Sequence, residues 1–404
     1  MRFHERMPIW GSAVAGTVVL LAACGGSSGA AGSIVIGATL PLTGALAPFG
    51  AQLKGAYELA VQDVNAQGGL SVGGSKHHVK LVELDDQSNP NLVSQQTRDL
   101  AQRYGAVAEF GPATPPLVIP AFNAADQVRV PDIAQCPLHA CLSGQPNGWK
   151  YGWFLTFDET QQAPLEYQAA NLISSNKRVA LFTDTEEDGI TMGNLWINEA
   201  PEYGYTIAYH ASFPVGTTDF SNQIAQAKAA NAEILIAQML PPDGQTLWKQ
   251  MKALGFHPKY AACEKCANSF AWRQGLGPIA EGTEAISWWT PQMGYPGSQR
   301  FYDHFVSMTG GLTSDLAIMS SVYTQAMIML DAISAAGSTD ASAVNAALAR
   351  TNKTYLAGPV KFNNRHASIF KVYMTQWQGA NMVPIYPTNI AGAGRIESPV
   401  PGLA

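Results

Sequence analysis

Residues 34–69 read IVIGATLPLTGALAPFGAQLKGAYELAVQDVNAQGG. The first three residues are an apolar run, typical of a strand covered on both faces in a parallel sheet. Glycine, proline and threonine then favour a turn. Residues 53–64 repeat apolar side chains at helical spacing, and the glycine pair at 68–69 favours a helix end. The stretch predicts a strand–loop–helix unit whose loop lies at the carboxyl end of a sheet, where such folds bind ligands.

The same alternation of strand and helix continues along the 404 residues, a length that favours two domains. Two rounds of β/α alternation predict an α/β protein with two doubly wound, mostly parallel sheets. We expect strands at 79–84, 106–110, 130–134, 179–183, 206–210, 233–237, 260–262 and 282–288, separated by helices. Further helices are expected at 298–308, 316–336 and 342–349, and extended segments at 360–362, 369–377 and 382–385.

Composition excludes several classes of function. The formal net charge is −6 and only 13% of residues are charged, so we expect no nucleic-acid partner. The motifs HExxH and GxxxxGK[ST], a placed GxSxG and a Rossmann GxGxxG after a strand are all absent from the sequence. We therefore expect no enzyme, no cofactor and no resident metal.

The N-terminus is typical of an exported lipoprotein. Arg2 and Arg6 precede an apolar segment at 13–23, which is too short to span about 30 Å of hydrocarbon. Residues 21–24 read LAAC and resemble a bacterial lipobox, in which Cys24 carries the lipid. We expect residues 1–23 to be a signal peptide and residues 24–33 a flexible tether. The predicted location is the extracytoplasmic face of the cell membrane.

Short motifs in a fixed order resemble one known family. They are Ile36-Gly37-Ala38, Leu42-Thr43-Gly44, Phe49-Gly50, Asp63-Val64-Asn65, Gly68-Gly69, Asp85-Asp86, Gly111-Pro112, Thr218-Asp219-Phe220 and Gly358-Pro359-Val360. From residue 34 to about residue 377, the chain resembles the leucine/isoleucine/valine-binding family, the type I periplasmic binding proteins that serve branched-chain amino acid ABC transporters. The resemblance implies a two-lobed monomer that closes on a small molecule by a hinge and delivers it to permease subunits.

The resemblance also implies domain boundaries. Lobe I would comprise residues 34–156 and 291–357, and lobe II residues 157–290 and 358–404. Three crossings, near residues 156, 290 and 358, would form the hinge.

Four predicted ligand contacts lie in lobe I, at positions taken from the family. Phe49 matches an aromatic residue beside the ligand, although a packing role under the helix is an alternative. Thr114 retains a hydroxyl in a loop that captures the ligand carboxylate, but prolines replace its neighbours and lack the N–H donor. Gln135 and Cys136 occupy a loop that normally has small residues and threonine.

Four more contacts are predicted in lobe II. Asp188 precedes Gly189 where the family has an aromatic residue, and a solvated acidic loop is the alternative. Met239 follows a strand in place of an expected tyrosine. Glu264 aligns with the carboxylate that pairs with a ligand ammonium, although Lys265 could satisfy it instead. Trp288, with its neighbour Trp289 as the alternative, would add an aromatic side chain to the cleft.

The remaining cysteines form two close pairs, Cys136/Cys141 and Cys263/Cys266. Outside the cytoplasm such pairs favour disulfides. Two alternatives are a thioredoxin-like Cys-x-x-Cys and a soft-metal site in which both pairs and His139 converge on zinc. The sequence thus predicts a lipid-anchored solute-binding protein for an amino acid, amide or related amine or aromatic compound. A ligand sensor of the same fold and a zinc binder are the alternatives.

Overall fold

The computed structural model describes residues 32–309 and 315–404. The predicted signal peptide, Cys24 and all but the last two residues of the predicted tether lie outside these residues, so those expectations remain sequence-based.

Strands and helices alternate along the described chain. The strands are β1 (Ile34–Leu40), β2 (Leu70–Val72), β3 (Ser75–His77), β4 (Val79–Asp85), β5 (Ala108–Ala113), β6 (Asp132–Gln135), β7 (Gly152–Thr156), β8 (Arg178–Asp184), β9 (Thr206–Phe213), β10 (Ile234–Gln238), β11 (Tyr260–Glu264), β12 (Glu284–Ser287), β13 (Asn352–Tyr355), β14 (Gly358–Lys361), β15 (Ala367–Ile369), β16 (Tyr373–Gln378) and β17 (Asn381–Tyr386). The α-helices are α1 (Ala47–Ala66), α2 (Pro90–Gln102), α3 (Pro115–Val128), α4 (Leu138–Leu142), α5 (Glu159–Ala170), α6 (Glu187–Glu199), α7 (Ser221–Ala229), α8 (Pro241–Leu254), α9 (Phe270–Leu276), α10 (Ser298–Thr309), α11 (Leu316–Ala336) and α12 (Ala341–Ala349). Short 3₁₀ turns occupy Ala200–Tyr203, Gly277–Ala280 and Pro291–Met293.

The first sheet has six parallel strands in the order β15-β7-β6-β5-β1-β4. Strand β1 is an inner strand, which explains its continuous apolar sequence: Ile36, Ala38 and Leu40 are fully buried. Helix α1 packs against α11, and α2 packs against α3. The predicted strand–loop–helix at 34–69 is confirmed.

The loop between β1 and α1 is held by two sequence features. A Cβ atom on Gly50 would lie 2.1 Å from the Pro41 carbonyl oxygen, so only glycine allows the helix to approach the loop this closely. Asp85 accepts hydrogen bonds from the Leu42 and Thr43 amides at 3.1 and 3.2 Å and from the Thr43 hydroxyl at 2.8 Å. The motifs Phe49-Gly50 and Asp85-Asp86 therefore fix the shape of this end of the sheet.

The second sheet has seven strands in the order β17-β16-β12-β11-β10-β8-β9. Strands β8 to β12 pair in parallel, while β16 and β17 add an antiparallel edge. The predicted α/β class, with mostly parallel sheets, is confirmed.

The chain passes between the sheets three times, after β7, after β12 and after β15. The third crossing lies after β15 and not near residue 358 as predicted, because β15 pairs with β7 in the first sheet. The β2–β3 hairpin and β7 are not among the strands predicted from the sequence.

Helix α11 is long and apolar enough to cross a membrane, but 83% of its most apolar window is buried inside the protein. The helix predicted at 316–336 is confirmed.

Candidate ligand-binding cleft

A cavity of about 610 Å³, its mouth included, lies between the carboxyl ends of the two sheets, and we call it the central cavity. The first-sheet side contributes Phe49, Ala113, Thr114, Gln135, Pro137 and Ile318, and the connection after β7 contributes Phe157. The second-sheet side contributes Glu159, Gln162, Asp188, Met192, Gln238, Glu264, Lys265, Asn268, Ile286 and Trp288.

Six of the eight predicted ligand contacts line this cavity: Phe49, Thr114, Gln135, Asp188, Glu264 and Trp288. The other two do not. Cys136 and Met239 are fully buried in separate hydrophobic clusters, because each side chain points away from the end of its strand and into the packing beneath. Their neighbours Gln135 and Gln238 take the lining positions instead, as expected for adjacent residues at a strand end, which face opposite sides.

Acidic residues at the start of α6 form a buried ion-pair network with Lys265. The Lys265 ammonium lies 2.6 Å from a Glu186 oxygen and 2.9 Å from an Asp188 oxygen, with only 5% of the lysine side chain exposed. Burial acts to lower the pKa of Lys265, but the charges of Asp188, Glu186 and Asp184 outweigh it and raise that pKa. Burial, followed by the charge of Asp188, raises the pKa of Asp184 to about 7. The alternative of a solvated acidic loop is therefore wrong for Asp184 and Asp188.

Glu264 is not satisfied by Lys265, because the lysine is engaged by the acidic loop. One Glu264 oxygen accepts a hydrogen bond from the Ile286 amide at 3.2 Å, and Glu166 lies behind it. Burial, and next the neighbouring Glu166, raises the pKa of Glu264 well above its usual range. Burial also raises the pKa of Glu166 to about 7. Two buried carboxyls in contact retain a proton between them, so the Glu264–Glu166 pair does not carry two negative charges at neutral pH.

Polar atoms without a partner converge on the central cavity from both sides. Among the described residues, no protein hydrogen bond is made by the Thr114 hydroxyl, the Gln162, Gln238 and Asn268 amide oxygens or the Trp288 indole nitrogen. Each is buried, and buried polar groups that lack a partner are destabilising by about 1–3 kcal/mol each. Such atoms are suited to hydrogen-bond a bound molecule.

The first-sheet side offers little to a ligand carboxylate, although helix N-termini usually attract anions. Helix α3 begins with Pro115 and Pro116, which have no N–H. The next two amides donate to the Thr114 carbonyl oxygen at 3.2 and 2.9 Å. At α4, the amides of His139 and Ala140 already donate to the Glu159 carboxylate, both at 2.8 Å.

The second-sheet side is equally unfavourable to an anion. The N-terminus of α6 holds its own carboxylates, with the Gly189 amide donating to Asp188 at 3.2 Å. The first amide of α9, from Phe270, donates to the Asp315 carboxylate at 2.6 Å. The one lysine in the lining is already paired with two carboxylates. Among the described residues, the N-termini of α3, α4, α6 and α9 and the lining lysine therefore offer no vacant receptor for a carboxylate.

The two cysteine pairs do not converge. Cys136 and Cys141 are buried in one hydrophobic cluster, and Cys263 and Cys266 in another on the second-sheet side. The sulfur atoms of each pair lie at bonding distance. The zinc alternative, which needed both pairs around one ion, therefore has no geometric basis.

Eleven of the seventeen lining residues were not among the predicted ligand contacts, and Phe157, Glu159, Gln162 and Asn268 are four of them. Glu159 and Gln162 lie in the first turn of α5, directly after the first crossing between the sheets. Their position in the chain was the available signal, because a helix that starts where the chain crosses between the two sheets places its first turn beside the cavity.

The sequence of residues 33–381 matches the family model described as "Periplasmic binding protein". The chain belongs to the periplasmic binding protein family. An "Amino acid binding protein" of Pseudomonas aeruginosa is 25% identical over 234 residues, 58% of this chain and 61% of that relative. The chain thus matches about three fifths of that relative's length.

Solved periplasmic binding proteins share the fold. The leucine-binding protein LivK of Thermotoga maritima superposes with a TM-score of 0.76 at 22% identity, over 88% of this chain and 100% of LivK. LivJ of Streptococcus pneumoniae, solved in complex with isoleucine, gives 0.74 at 20% identity, over 87% of this chain and 100% of LivJ. The predicted type I fold and family are confirmed.

Proposed function

We propose that this protein captures a small organic molecule that carries hydrogen-bond donors but no carboxylate, such as an amide or an amine. One observation supports this proposal. The cavity is lined by polar atoms that have no hydrogen-bond partner, while the neighbouring helix N-termini either begin with prolines or already bind carboxylates of the protein. LivJ was crystallised with isoleucine, a carboxylate ligand. In this chain a carboxylate would meet Glu264, Asp188 and Glu159 without a free cation.

Capture occurs by closure of the two sheet-bearing lobes and requires no catalysis. The lining residues come from both the first-sheet and the second-sheet side of the cavity. A ligand that contacts both sides binds the closed form more tightly than the open form and therefore stabilises the closed form. The protein is anchored through a lipid on Cys24 and delivers its ligand to the permease subunits of an ABC importer. Cys136–Cys141 and Cys263–Cys266 are disulfides that stabilise each lobe.

The test is a thermal-denaturation screen of residues 25–404 against free amino acids, their amides, alkylamines and aromatic acids. A ligand at one hundred times its Kd adds about 2.7 kcal/mol to the unfolding free energy. We expect amides or amines to raise the melting temperature. A rise with free acids alone would refute the proposed ligand class.

Membrane fractionation of cells expressing the full chain tests the anchor. We expect the wild type in the membrane fraction and Cys24→Ala in the soluble extracytoplasmic fraction. Equal distribution of the two proteins would contradict lipid anchoring.

A further inference from the structure

Two carboxylates of the protein reach across the cleft to backbone amides on its opposite side. Glu159, in the first turn of α5, accepts hydrogen bonds from the His139 and Ala140 amides of α4, both at 2.8 Å. Asp315, directly before α11, accepts a hydrogen bond from the Phe270 amide of α9 at 2.6 Å. Each carboxylate and its amides belong to helices from different parts of the chain.

The packing of these four helices assigns each of them to one side of the cleft. Helix α11 packs against α1 and β6, and α4 packs against α3, so both belong to the first-sheet side. Helix α5 packs against β16 and β17 of the second sheet. Helix α9 packs against α8, whose Trp248 shares a hydrophobic cluster with Leu235 of β10. Each of the two contacts therefore joins the first-sheet side to the second-sheet side, and the carboxylate comes from a different side in each.

The two contacts differ in their distance along the chain from the crossings between the sheets. Glu159 follows the first crossing directly, so its contact with α4 holds the two sides together beside the hinge. Phe270 and Asp315 lie outside the three crossings, in helices that move apart when the cleft opens. The hydrogen bond between Asp315 and Phe270 can therefore form only in the closed protein.

The Asp315 carboxylate is directed to the opposite side although it stands where a helix cap is expected. An N-cap aspartate usually accepts hydrogen bonds from the first turn of its own helix, as Asp340 does from the Ser342 and Ala343 amides of α12, both at 3.0 Å. Asp315 makes no such bond to α11. Its oxygen is held instead by the buried Gln52 side chain of α1, which donates to it at 2.8 Å. The first-sheet side thus positions this carboxylate for an amide of the other side.

A hydrogen bond from an amide to a carboxylate stabilises more than one between two neutral groups. Both partners of the bond between Asp315 and Phe270 belong to the chain, so the closed form gains this stabilisation before any ligand binds. The apparent affinity for a ligand rises with the populated fraction of the form that binds it. A larger closed fraction in the ligand-free protein therefore strengthens capture.

We propose that Asp315 and the Phe270 amide form a latch that keeps the ligand-free protein predominantly closed, while Glu159 holds α4 beside the hinge. This inference rests on the proposed closure of the cleft. It does not depend on the proposed ligand class, because both partners of the latch are groups of the protein.

The experiment removes the latch and measures the shape of the protein without ligand. Asp315→Ala, Asp315→Asn and Asp340→Ala are made in the exported Cys24→Ala protein, which the fractionation experiment above expects to be soluble. Small-angle scattering gives the radius of gyration of each protein, and NMR follows hydrogen exchange of the Phe270 amide. Asp340→Ala is the matched control, because it removes an aspartate that binds amides of its own helix on the first-sheet side.

We expect Asp315→Ala to increase the radius of gyration and to speed exchange of the Phe270 amide at least about tenfold. Asp315→Asn should show smaller changes, because its amide oxygen can still accept the hydrogen bond. Asp340→Ala should retain the wild-type radius and the wild-type Phe270 exchange. Faster Phe270 exchange in Asp315→Ala at an unchanged radius would show a local cap only and would overturn the latch.

Addition of phenylalaninamide separates the latch from the proposed function. A larger radius in Asp315→Ala that phenylalaninamide returns to the wild-type value supports both. If the wild type and Asp315→Ala have the same radius and phenylalaninamide reduces both, the latch is refuted and the proposed ligand class stands. If Asp315→Ala is larger and phenylalaninamide binds to neither protein, the latch stands and the ligand class is refuted.

Discussion

Replacing Lys265 by methionine tests the buried ion-pair network most directly. The lysine contacts Glu186 at 2.6 Å and Asp188 at 2.9 Å, and the Lys265 and Asp188 side chains are only 5% and 2% exposed. Removing one partner of a buried pair leaves the other charge uncompensated, which typically costs about 3–5 kcal/mol. We expect Lys265→Met to lower the unfolding free energy at pH 8 by about that amount.

The loss should shrink as the pH falls. The pKa of Asp184 is already raised to about 7, chiefly by burial, and removal of the lysine removes a charge that lowers it. A carboxyl whose pKa is higher in the folded state binds more protons there, so stability rises as the pH falls from 8 towards 5. We expect the variant to regain much of its lost stability at pH 5.

Urea denaturation without ligand measures both effects, and two variants serve as controls. Lys259→Met removes an exposed pair with Glu233 at 3.0 Å, in which the side chains are 40% and 28% exposed, and should cost about 0–1 kcal/mol. The double variant Lys265→Met/Asp188→Asn should recover stability, because it removes a buried charge together with its partner. Equal losses for the two lysine variants, or a loss independent of pH, would refute the buried network.

Three further predictions follow from other buried groups. First, the buried residues Asp132 and Glu109 lie opposite each other on β6 and β5, and burial raises the pKa of Asp132 to about 7. Unfolding free energy should therefore fall as the pH rises from about 4 to 7, and Asp132→Asn should reduce this slope in a urea titration series; an unchanged slope would contradict the assignment. Second, an amine ligand should release a proton from the Glu264–Glu166 pair, seen in calorimetry as a heat that depends on the ionisation enthalpy of the buffer, whereas an amide should release none. Glu264→Gln should weaken the amine by about 2–5 kcal/mol and leave the amide unchanged, and equal effects on both would remove Glu264 from cation recognition. Third, mass spectrometry should show that all four buried cysteines are oxidised in exported protein, and Cys136→Ala/Cys141→Ala should cost about 2 kcal/mol, as expected for a short closed loop, whereas alkylation of all four thiols without reductant would contradict the disulfides.

The fold was largely predictable because its signals are local. The apolar run of β1 and the helical spacing of α1 follow directly from burial, and α11 has the predicted bounds, Leu316–Ala336. Neither the position of strand β15 in the chain nor the strand with which it pairs could be predicted. It has three residues, and it lies in the first sheet because its amides pair with a strand more than two hundred residues earlier.

The site was predictable in position but not in electrostatics. Thr114, Gln135 and Glu264 were predicted from positions of the family. They line the central cavity because residues that follow parallel strands gather at one edge of a sheet. The partner of Lys265 could not be predicted, since its backbone adopts a φ of 63° and directs the side chain away from Glu264 towards α6. The occupation of helix N-termini by Glu159 and Asp315 likewise depends on contacts between distant residues.

The most direct test of the central claim compares a free acid with its amide on wild-type protein and on Pro115→Ser/Pro116→Ala. The two prolines stand at the start of α3, and the double variant restores two N–H donors where a carboxylate could bind. Calorimetric titration with phenylalaninamide and phenylalanine should give binding of the amide alone to the wild type, and a gain of acid binding in the variant. Tight binding of phenylalanine to the wild type would contradict the claim that the helix N-termini beside the cleft offer no vacant receptor for a carboxylate.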